Sequence, residues 1–307
     1  MNLTSVQEEM SEYIVSWVQW FIYIPTIALG LPLNLLALWT LFFKIRRFSE
    51  TTAYVTSLVI NDILLIFSLP FKIYAYNQQW GLGRGFCSFL ESLIYINIYG
   101  SILFIVCISV DRYITLRFPF TISKFRSPQK AAVLCLAIWV LIFGVSPAVY
   151  QLHDHGDSCF QNFSNATWNK VEIVVSLETV FSASTIIMVF CSTNVLLILK
   201  GLRNRNPQDK KLQNNKSVKI VISNLVTFLV CFIPYHVAVL IYFWAKNTSS
   251  VREKIDQLRM FLHISSSVSS VNCLFDGICY YYILLENWQA ASVADTQTRA
   301  DTRPMDG

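Results

Sequence analysis

The chain has 307 residues, of which 54% are hydrophobic and 14% are charged, whereas soluble domains typically carry about 25% charged residues. The charged residues cluster between long apolar stretches, which excludes a soluble globular domain and indicates an integral membrane protein. The net charge of +5 does not indicate nucleic-acid binding, because most Lys and Arg residues flank the apolar stretches and no basic run is interleaved with aromatic residues.

Seven apolar segments follow one another along the chain, and each is long enough to cross a bilayer as a helix. We number them spans 1 to 7. The sequence therefore predicts an all-α membrane protein, a seven-transmembrane helix bundle at 17–285, between an extracellular N-terminus (1–16) and a cytoplasmic tail (286–307). The N-terminal segment is polar and acidic, so we expect no cleavable signal peptide. The spans cover roughly residues 17–43, 52–76, 86–116, 131–152, 171–199, 217–245 and 258–285.

The basic residues predict the orientation of the bundle. Most of the 24 Lys and Arg residues lie in the connections after spans 1, 3 and 5 and in the tail, which places those segments in the cytoplasm and the N-terminus outside. Sequons for N-glycosylation support this orientation. A fifth sequon, at Asn215, falls inside and is interpreted as a chance match. The four sequons on the outer side are at Asn2, Asn162, Asn165 and Asn247.

Two of the eight cysteines lie in outer positions, Cys87 at the start of span 3 and Cys159 in the following outer loop. Because the outer face is oxidising, we expect a disulfide between them, with two free thiols as the alternative. The other six lie inside spans, where cysteine serves as a small apolar packing residue. No metal-ligand spacing is present.

Charged side chains inside a membrane span are costly and therefore informative. Asp62 lies in the middle of span 2 and Asp276 in the middle of span 7, with Asn97, Ser101 and Asn272 at a similar depth. This group could hold a hydrated Na⁺. The alternative is a structural network that shares a proton or bonds water.

Lys72 lies ten residues after Asp62, hence about 15 Å nearer the outer side, and Glu91 lies one turn into span 3. Lys72 could pair with Glu91 or bind a ligand phosphate or carboxylate. Alternatively, it could extend to the membrane interface. Further polar and aromatic residues would line the same upper cavity if their faces turn inward, although simple packing is the alternative for each one: Tyr95, Tyr99, Glu178, Tyr235, His236 and His263.

The triplet Asp111-Arg112-Tyr113 ends span 3 at the cytoplasmic boundary. An arginine there, neutralised by its neighbouring carboxylate, is a candidate switch that can be released toward a partner protein.

Together these residues resemble the rhodopsin-like (class A) G-protein-coupled receptors over nearly the whole chain. The resemblance implies coupling to a heterotrimeric G protein at the plasma membrane. The residues that it assigns to the conformational switch are Asp111, Arg112, Tyr113, Phe228, Phe232, Pro234, Asp276 and Tyr280. The resemblance itself depends on Asn34, Leu58, Asp62, Cys87, Asp111-Arg112-Tyr113, Trp139, Phe228, Cys231-Phe232-Ile233-Pro234 and Asp276-Gly277-Ile278-Cys279-Tyr280.

Some strings are similar to one branch of this family, which holds receptors for lysophosphatidylinositol, lysophosphatidic acid and nucleotides, and a kynurenate-responsive orphan. Examples are Ser68–Lys72, Arg126–Lys130 and Val271–Tyr282. The resemblance implies an anionic ligand, a lysophospholipid, with Lys72 and Glu91 in its binding site.

Several positions depart from the family pattern. Phe232 replaces the switch tryptophan of span 6, Gly277 replaces the proline of span 7, and Ser184 stands about where span 5 has a proline. We expect Gly277 to supply the flexibility of span 7. The region before span 6 lacks the acidic partner of Arg112, which predicts weaker restraint and raised basal activity.

The expected function is a G-protein-coupled receptor for an anionic ligand. The alternatives are a receptor for a peptide or chemokine, a nucleotide or a small carboxylate, and a constitutively active or decoy receptor. A transporter would show inverted repeats and broken midplane helices, and neither is evident. An enzyme is not expected, because no nucleophile–base pair, metal set or phosphate loop is present.

Overall fold

The fold is known from a computed structural model, which describes residues 3–45, 48–118, 127–150, 159–161, 170–208, 216–248 and 252–281. Every regular element within these ranges is helical. We call the end of the bundle that carries Cys87 the outer end and the end that carries Arg112 the inner end.

The helices confirm the predicted all-α bundle of seven spans. Span 1 runs through Leu3–Pro25, a π-helical turn at Thr26–Gly30, Leu31–Trp39 and a second π-helical stretch at Thr40–Ile45. The other spans are Glu50–Asn77, Arg84–Arg117, Pro128–Tyr150, Val171–Arg205, Lys216–Asn247, and, for span 7, Arg252–Ser269 followed by 272–281. Six of these helices are long and apolar enough to cross a membrane, whereas span 7 is more polar and is interrupted.

Span 1 differs from its predicted boundary, because its helix begins at Leu3 rather than near residue 17. The π-helical turn follows Pro25, which lacks the N–H that would continue the regular hydrogen-bond ladder. One face of the extended helix, including Val15, Gln19 and Tyr23, is buried against the bundle.

Span 3 lies at the centre of the bundle and contacts spans 2, 4, 5 and 6. In the most apolar part of span 3, 72% of the residues are buried, compared with 22% in the corresponding parts of spans 4 and 5. The helix begins after Gly83, whose φ of 85° favours a residue without a side chain. Span 3 therefore fixes the positions of the four helices that pack against it.

Span 7 is interrupted at Ser270–Val271, not at Gly277 as the sequence suggested. The backbone N–H groups of Ser270 and Val271 bond to residues three positions earlier, which marks a tightened turn. Serine hydroxyls take the carbonyl that the Ser270 N–H would use in a regular α-helix: the Ser269 and Ser270 hydroxyls donate to the Ser266 carbonyl at 2.7 and 3.3 Å. Such back-bonding weakens and bends a helix, so a run of serines supplies the break.

Gly277 has a different role, because it lets spans 7 and 1 approach closely. A Cβ atom at this position would lie 2.9 Å from Asn34 Nδ2 and 3.2 Å from Leu33 Cβ. The Asn34 amide cannot easily move away, since it donates to the Gly30 and Cys273 carbonyls at 2.9 Å each. Close packing, not flexibility, therefore accounts for this glycine.

We predict that Gly277→Ala destabilises the receptor by about 1–3 kcal/mol, because the added methyl group overpacks the contact with Asn34. Thermal unfolding of the detergent-solubilised receptor measures the change. Gly144→Ala in span 4 is the matched control: its Cβ would meet no atom within 4 Å, and alanine in a helix is favoured over glycine by roughly 0.5–1 kcal/mol. Equal effects of the two substitutions would contradict the packing role.

Candidate ligand site and inner switch

A short loop segment, Cys159 to Gln161, covers the outer end of the bundle; we call it the plug. The predicted disulfide is confirmed: Cys87 and Cys159 are joined, with their Cα atoms 5.8 Å apart. Phe160 has a φ of 68°, an uncommon conformation for a residue with a side chain. The Gln161 amide donates to the Ala75 carbonyl at 3.1 Å. The plug is thus tied to both span 3 and span 2.

Glu91 fastens the plug from below. It is buried, and its Oε1 atom accepts a hydrogen bond from the Phe160 N–H at 3.0 Å. It also lies near both sulfurs of the disulfide; because these sulfurs are bonded to each other, the group is not a metal-ligand set. Lys72 is within electrostatic range of Glu91. The geometry therefore assigns Glu91 to holding the plug as well as to the electrostatic environment of Lys72.

Lys72 does not extend to the membrane interface, since its side chain is only 3% exposed. Its Nζ atom lies 5.4 Å from the centroid of the Tyr23 ring and 6.0 Å from that of Phe160. These are cation–π distances. No described residue accepts a hydrogen bond from Nζ. Lys72 is thus a buried cation near Tyr23 of span 1 and Phe160 of the plug.

The remaining predicted ligand residues form a second group among spans 3, 5 and 6, which we call the tyrosine–histidine cluster. The side chains of Tyr95 and Tyr235 interact electrostatically. His236 Nδ1 and Glu178 Oε1 are 2.9 Å apart, and the Tyr99 ring meets the His236 ring edge-on at 5.9 Å. Glu91, which is within electrostatic range of Lys72, is also within electrostatic range of Tyr95. The single cavity lining for Lys72 and this cluster stays a prediction.

A cavity of about 180 Å³, which we call the vestibule, opens above the plug between spans 1, 2 and 7. Its size fits a headgroup and not a whole lipid, because drug-sized ligands occupy about 300–1,000 Å³. His263, a predicted cavity residue, lies here with its Nδ1 atom 3.1 Å from the Tyr76 hydroxyl. The lining residues are Ser11, Glu12, Val15, Tyr76, Gln161, Asp256, Arg259, Met260 and His263.

The residues predicted to bind sodium lie together in a buried polar layer at mid-depth. Asn97 Nδ2 donates to Asp62 Oδ1 at 3.3 Å, and Ser101 Oγ receives the amides of Asn61 and Asn272 at 3.0 Å each. Asp276 interacts electrostatically with Asp62. This layer joins spans 2, 3 and 7, so the predicted association of these side chains is present in the structure.

The donor chemistry of this layer fits a cation. Five buried oxygens have no hydrogen-bond partner among the described residues: Asp62 Oδ2, both carboxylate oxygens of Asp276, and the amide oxygens of Asn61 and Asn97. Oxygen donors of this kind are typical ligands of hard cations. Ser101 and Asn272 are already engaged in hydrogen bonds with each other, so they are less suited to direct contact with an ion.

An aromatic ladder connects the tyrosine–histidine cluster to the middle of span 6. The rings of His236 and Phe181 stack at 3.7 Å, Phe181 stacks on Phe228 at 5.6 Å, and Phe228 meets Phe232 at 5.7 Å. Phe232, at the expected switch position, is fully buried two residues before Pro234. A shift of the ladder would therefore be transmitted to the helix at its proline.

At the inner end, Arg112 is held by spans 2 and 3. Its guanidinium lies 3.4 Å from Asp111 Oδ2 and donates to the Thr51 hydroxyl, which itself donates to Asp111 at 3.3 Å. Tyr113 packs against Phe190 of span 5 with ring centroids 5.6 Å apart. The stretch just before span 6, from which the acidic partner is missing, lies largely outside the described residues.

Tyr280 provides the inner link between spans 6 and 7. Its hydroxyl donates to Asn224 Oδ1 at 2.9 Å, and both side chains are buried. The sequence analysis named neutral amides only where they lie at the depth of Asp62 and Asp276 and so did not name Asn224, Asn61 and Gln19. A neutral amide at any depth of an apolar helix would be the signal for them.

Some predictions fall on parts of the chain that the structure does not describe. The sequons at Asn2, Asn162 and Asn165 and the tail 286–307 lie outside the described residues. Asn247 is exposed at the outer end of span 6, where its Nδ2 donates to the Phe243 carbonyl at 2.9 Å. Glycosylation at these positions stays a prediction.

The helical bundle, the disulfide and the inner Asp–Arg–Tyr triplet together define a seven-helix membrane receptor. Residues 33–280 match the model of the family described as 7 transmembrane receptor (rhodopsin family). The chain belongs to this family, and it is a multi-pass membrane protein of the G-protein-coupled class. The resemblance on which the sequence interpretation depended is confirmed.

The similar curated proteins are receptors. The chain is 34% identical over 268 residues to lysophosphatidic acid receptor 6 of Gallus gallus, covering 83% of this chain and 86% of the relative. It is 34% identical over 281 residues to G-protein coupled receptor 55 of Homo sapiens, with coverage of 89% and 87%. It is 32% identical over 278 residues to human G-protein coupled receptor 35, with coverage of 87% and 84%.

We predict that Glu91→Ala destabilises the receptor by about 1–3 kcal/mol, because the buried Phe160 N–H then loses its acceptor. Glu91→Gln keeps an oxygen at the same place and should remain close to the parent protein. Thermal unfolding of both variants in detergent measures the difference. If the glutamine variant is as unstable as the alanine variant, the charge of Glu91 matters more than its hydrogen bond to the plug.

Proposed function

We propose that this receptor binds a lysophospholipid through its anionic headgroup and transmits the binding to a heterotrimeric G protein. The observation that carries the proposal is Lys72, a buried cation without a hydrogen-bond acceptor among the described residues. A buried ammonium group is costly unless it is paired. A phosphate oxygen would supply the missing acceptor. One of the relatives named above supports the same ligand class through the words lysophosphatidic acid in its name.

Ligand binding would act through span 1 on span 7. The Tyr23 ring lies against Lys72, and the Tyr23 hydroxyl is 2.8 Å from Ser267 Oγ. Ser267 belongs to the serine run that breaks span 7 at Ser270–Val271. A headgroup that draws Lys72 away from Tyr23 would change this contact and shift the equilibrium between two packings of span 7.

The inner half would then respond through two contacts. The Tyr280–Asn224 bond joins spans 6 and 7, and the aromatic ladder reaches Phe228 and Phe232 above it. Opening of span 6 at Pro234 would free the inner surface around Arg112 for a G protein. The response is limited by the difference in ligand affinity between the two packings.

We further propose that the receptor lies in the plasma membrane with its N-terminus outside and has no catalytic activity. Basic residues after spans 1, 3 and 5 support the orientation. The joined Cys87 and Cys159 support it too, because disulfides persist on the oxidising side.

We propose Na⁺ as a ligand of the mid-depth layer, held by Asp62, Asp276 and the amide oxygens of Asn61 and Asn97. Two neighbouring carboxylates in a low-dielectric interior repel each other when both are ionised, and a cation would offset this repulsion. A shared proton would serve the same purpose, so the choice between them needs an experiment.

A second candidate is a receptor for a small anion, either a nucleotide or a small carboxylate. The volume of the vestibule favours it, since about 180 Å³ holds a small polar group without an acyl chain. It would use the same cation, Lys72, and the panel of compounds below separates the two candidates.

We predict that Lys72→Ala lowers agonist potency at least tenfold in a G-protein activation assay with lysophospholipids, nucleotides and small carboxylates. Loss of a hydrogen bond to a charged group costs about 1.5–3 kcal/mol, and Lys72→Arg should recover part of it. Lys170→Ala, an exposed lysine before span 5, is the control at matched surface expression.

The outcomes are distinct. A lipid response that ignores Lys72 would remove the proposed binding site and leave the receptor class intact. A response to nucleotides or carboxylates alone would select the second candidate. High basal signal without any response would indicate a constitutive receptor, and silence at both levels a decoy.

We predict that Asp62→Asn abolishes the difference in thermal stability between NaCl and N-methylglucamine chloride at equal ionic strength. The parent protein should be more stable in NaCl, because Na⁺ binds the folded layer and not the unfolded chain. Lysophospholipid potency measured in the two salts should show the same loss of ion dependence. No ion-specific effect on the parent protein would favour the shared proton instead.

A further inference from the structure

His263 is a buried residue that the proposed activation path does not use. It lies on span 7, is 8% exposed and lines the vestibule, so water that enters the vestibule from the outer side can reach its ring. Histidine is the side chain whose ordinary pKa, about 6.5, lies close to neutral pH. A proton from the outer solution can therefore bind at this position.

The Tyr76 hydroxyl lies between two acceptors that belong to different parts of the molecule. His263 Nδ1 on span 7 is 3.1 Å away, and the Phe160 carbonyl of the plug is 3.5 Å away. A phenol has one proton to donate, so it can bond fully to only one of them. Hydrogen bonds between two oxygens ordinarily measure about 2.5–3.0 Å, and the contact with Phe160 is longer. The hydroxyl is thus directed mainly toward His263 and joins span 2 to span 7.

Protonation of His263 would decide which acceptor the hydroxyl uses. In the neutral ring Nδ1 can accept the Tyr76 proton, whereas in the charged ring both nitrogens carry protons and can only donate. Charged His263 would donate to the Tyr76 oxygen, and the hydroxyl proton would turn to the Phe160 carbonyl. The contact between His263 and Tyr76 would persist with its direction reversed, and a second hydrogen bond, from span 2 to the plug, would be completed.

The charges of the vestibule favour the charged form of His263. Two carboxylates line this cavity, Glu12 of span 1 and Asp256 of span 7, with one cation, Arg259, which is 3.9 Å from Asp256. An excess of negative charge stabilises an imidazolium ion. The other titratable groups around this region are Tyr23 on span 1, Tyr76 and Lys72 on span 2, Glu91 on span 3, and Tyr242 and Lys246 on span 6, beside Arg259.

We propose that His263 binds a proton from the outer solution and that this proton transfers the Tyr76 hydrogen bond from span 7 to the plug. Outer acidity then fastens the plug to span 2 through the Phe160 carbonyl. The Phe160 ring is 6.0 Å from Lys72 Nζ, so a fastened plug restricts access to that cation. The inference concerns the plug and does not depend on which ligand the receptor binds.

Glu91 is a second titratable group in contact with the plug, and its effect has the opposite sign. Its carboxylate accepts the Phe160 N–H at 3.0 Å. A protonated carboxyl is a weaker acceptor than a carboxylate, so protonation of Glu91 would loosen the plug on acidification. Glu91→Gln removes this titration and keeps an oxygen at the same place. The two effects can therefore be separated.

The test is amide hydrogen exchange of Cys159–Gln161 in the full-length receptor carrying Glu91→Gln, purified in detergent. The exchange is measured by mass spectrometry at about pH 8 and about pH 5, the limits between which histidine changes charge, and is divided by the intrinsic rate at each pH. Protection of the plug should rise roughly threefold to tenfold at the lower pH, as expected for one additional hydrogen bond.

Two further substitutions in the same background should remove this gain. His263→Gln cannot change charge, and Tyr76→Phe has no proton to transfer. His236→Gln is the matched control, because His236 is paired with Glu178 between spans 5 and 6; it should keep the whole gain. In the parent protein, exchange of the ring C2 proton, which mass spectrometry resolves for each histidine, should show His263 gaining its charge over the same pH range.

Each of three results would overturn the inference. A plug whose protection does not rise on acidification in the Glu91→Gln background would show that no bond to the Phe160 carbonyl forms. A gain that persists in His263→Gln or Tyr76→Phe would assign the pH dependence to another group. A His263 ring that stays neutral down to about pH 5 would exclude the proton site, and this measurement needs no variant to fold. The proposed lysophospholipid function stands in all three cases.

Discussion

The bundle depends on how polar side chains are satisfied where water is absent. In a bilayer each unsatisfied polar group is costly, so buried amides and carboxylates must find partners on neighbouring helices. Asn34 bonds to the Cys273 carbonyl and joins spans 1 and 7. Asn61 bonds to Ser101 and to the Asn97 carbonyl and joins spans 2 and 3. Apolar side chains cannot fix helix positions in this way, since lipid tails compete equally well for them. These amide contacts therefore specify which helices meet and at what depth.

The mid-depth polar layer around Asp62 and Asp276 is held in place by hydrogen bonds, but some of its polar atoms have no partner. Its amide nitrogens are bonded, whereas carboxylate and amide oxygens around Asp62 and Asp276 have no partner among the described residues. The outer layer shows the same combination: Glu91 is bonded to the plug, whereas the Lys72 ammonium has no hydrogen-bond acceptor among the described residues. Hydrogen-bonded side chains and unsatisfied polar atoms thus lie next to each other in both the outer layer and the mid-depth layer. A ligand or ion that supplies the missing partners changes the energy of the layer without having to break its framework.

The sequence was sufficient for the number of helices, for their approximate limits apart from the start of span 1, and for the Cys87–Cys159 bond, because these depend on length, apolarity and position along the chain. It did not determine how each helix is rotated. Span 3 is buried nearly all round, so it has no polar face that would reveal which residues turn toward Lys72. For this reason the sequence could not show that the Lys72 ammonium lies against the Tyr23 ring of span 1. The break in span 7 was missed because serine is tolerated in helices, and only the run of back-bonded hydroxyls weakens this one.

The departures from the family pattern have local substitutes in this chain. Where the family has a proline in span 7, Gly277 allows close contact with Asn34, and the bend is moved to Ser270–Val271. Where the family has a tryptophan in span 6, Phe232 ends a series of contacting rings that begins at His236. Each substitute keeps a deformable point in a helix and a packed contact beside it, which are the two parts that a conformational switch requires. The altered motifs therefore change where the helices bend and do not by themselves indicate a silent receptor.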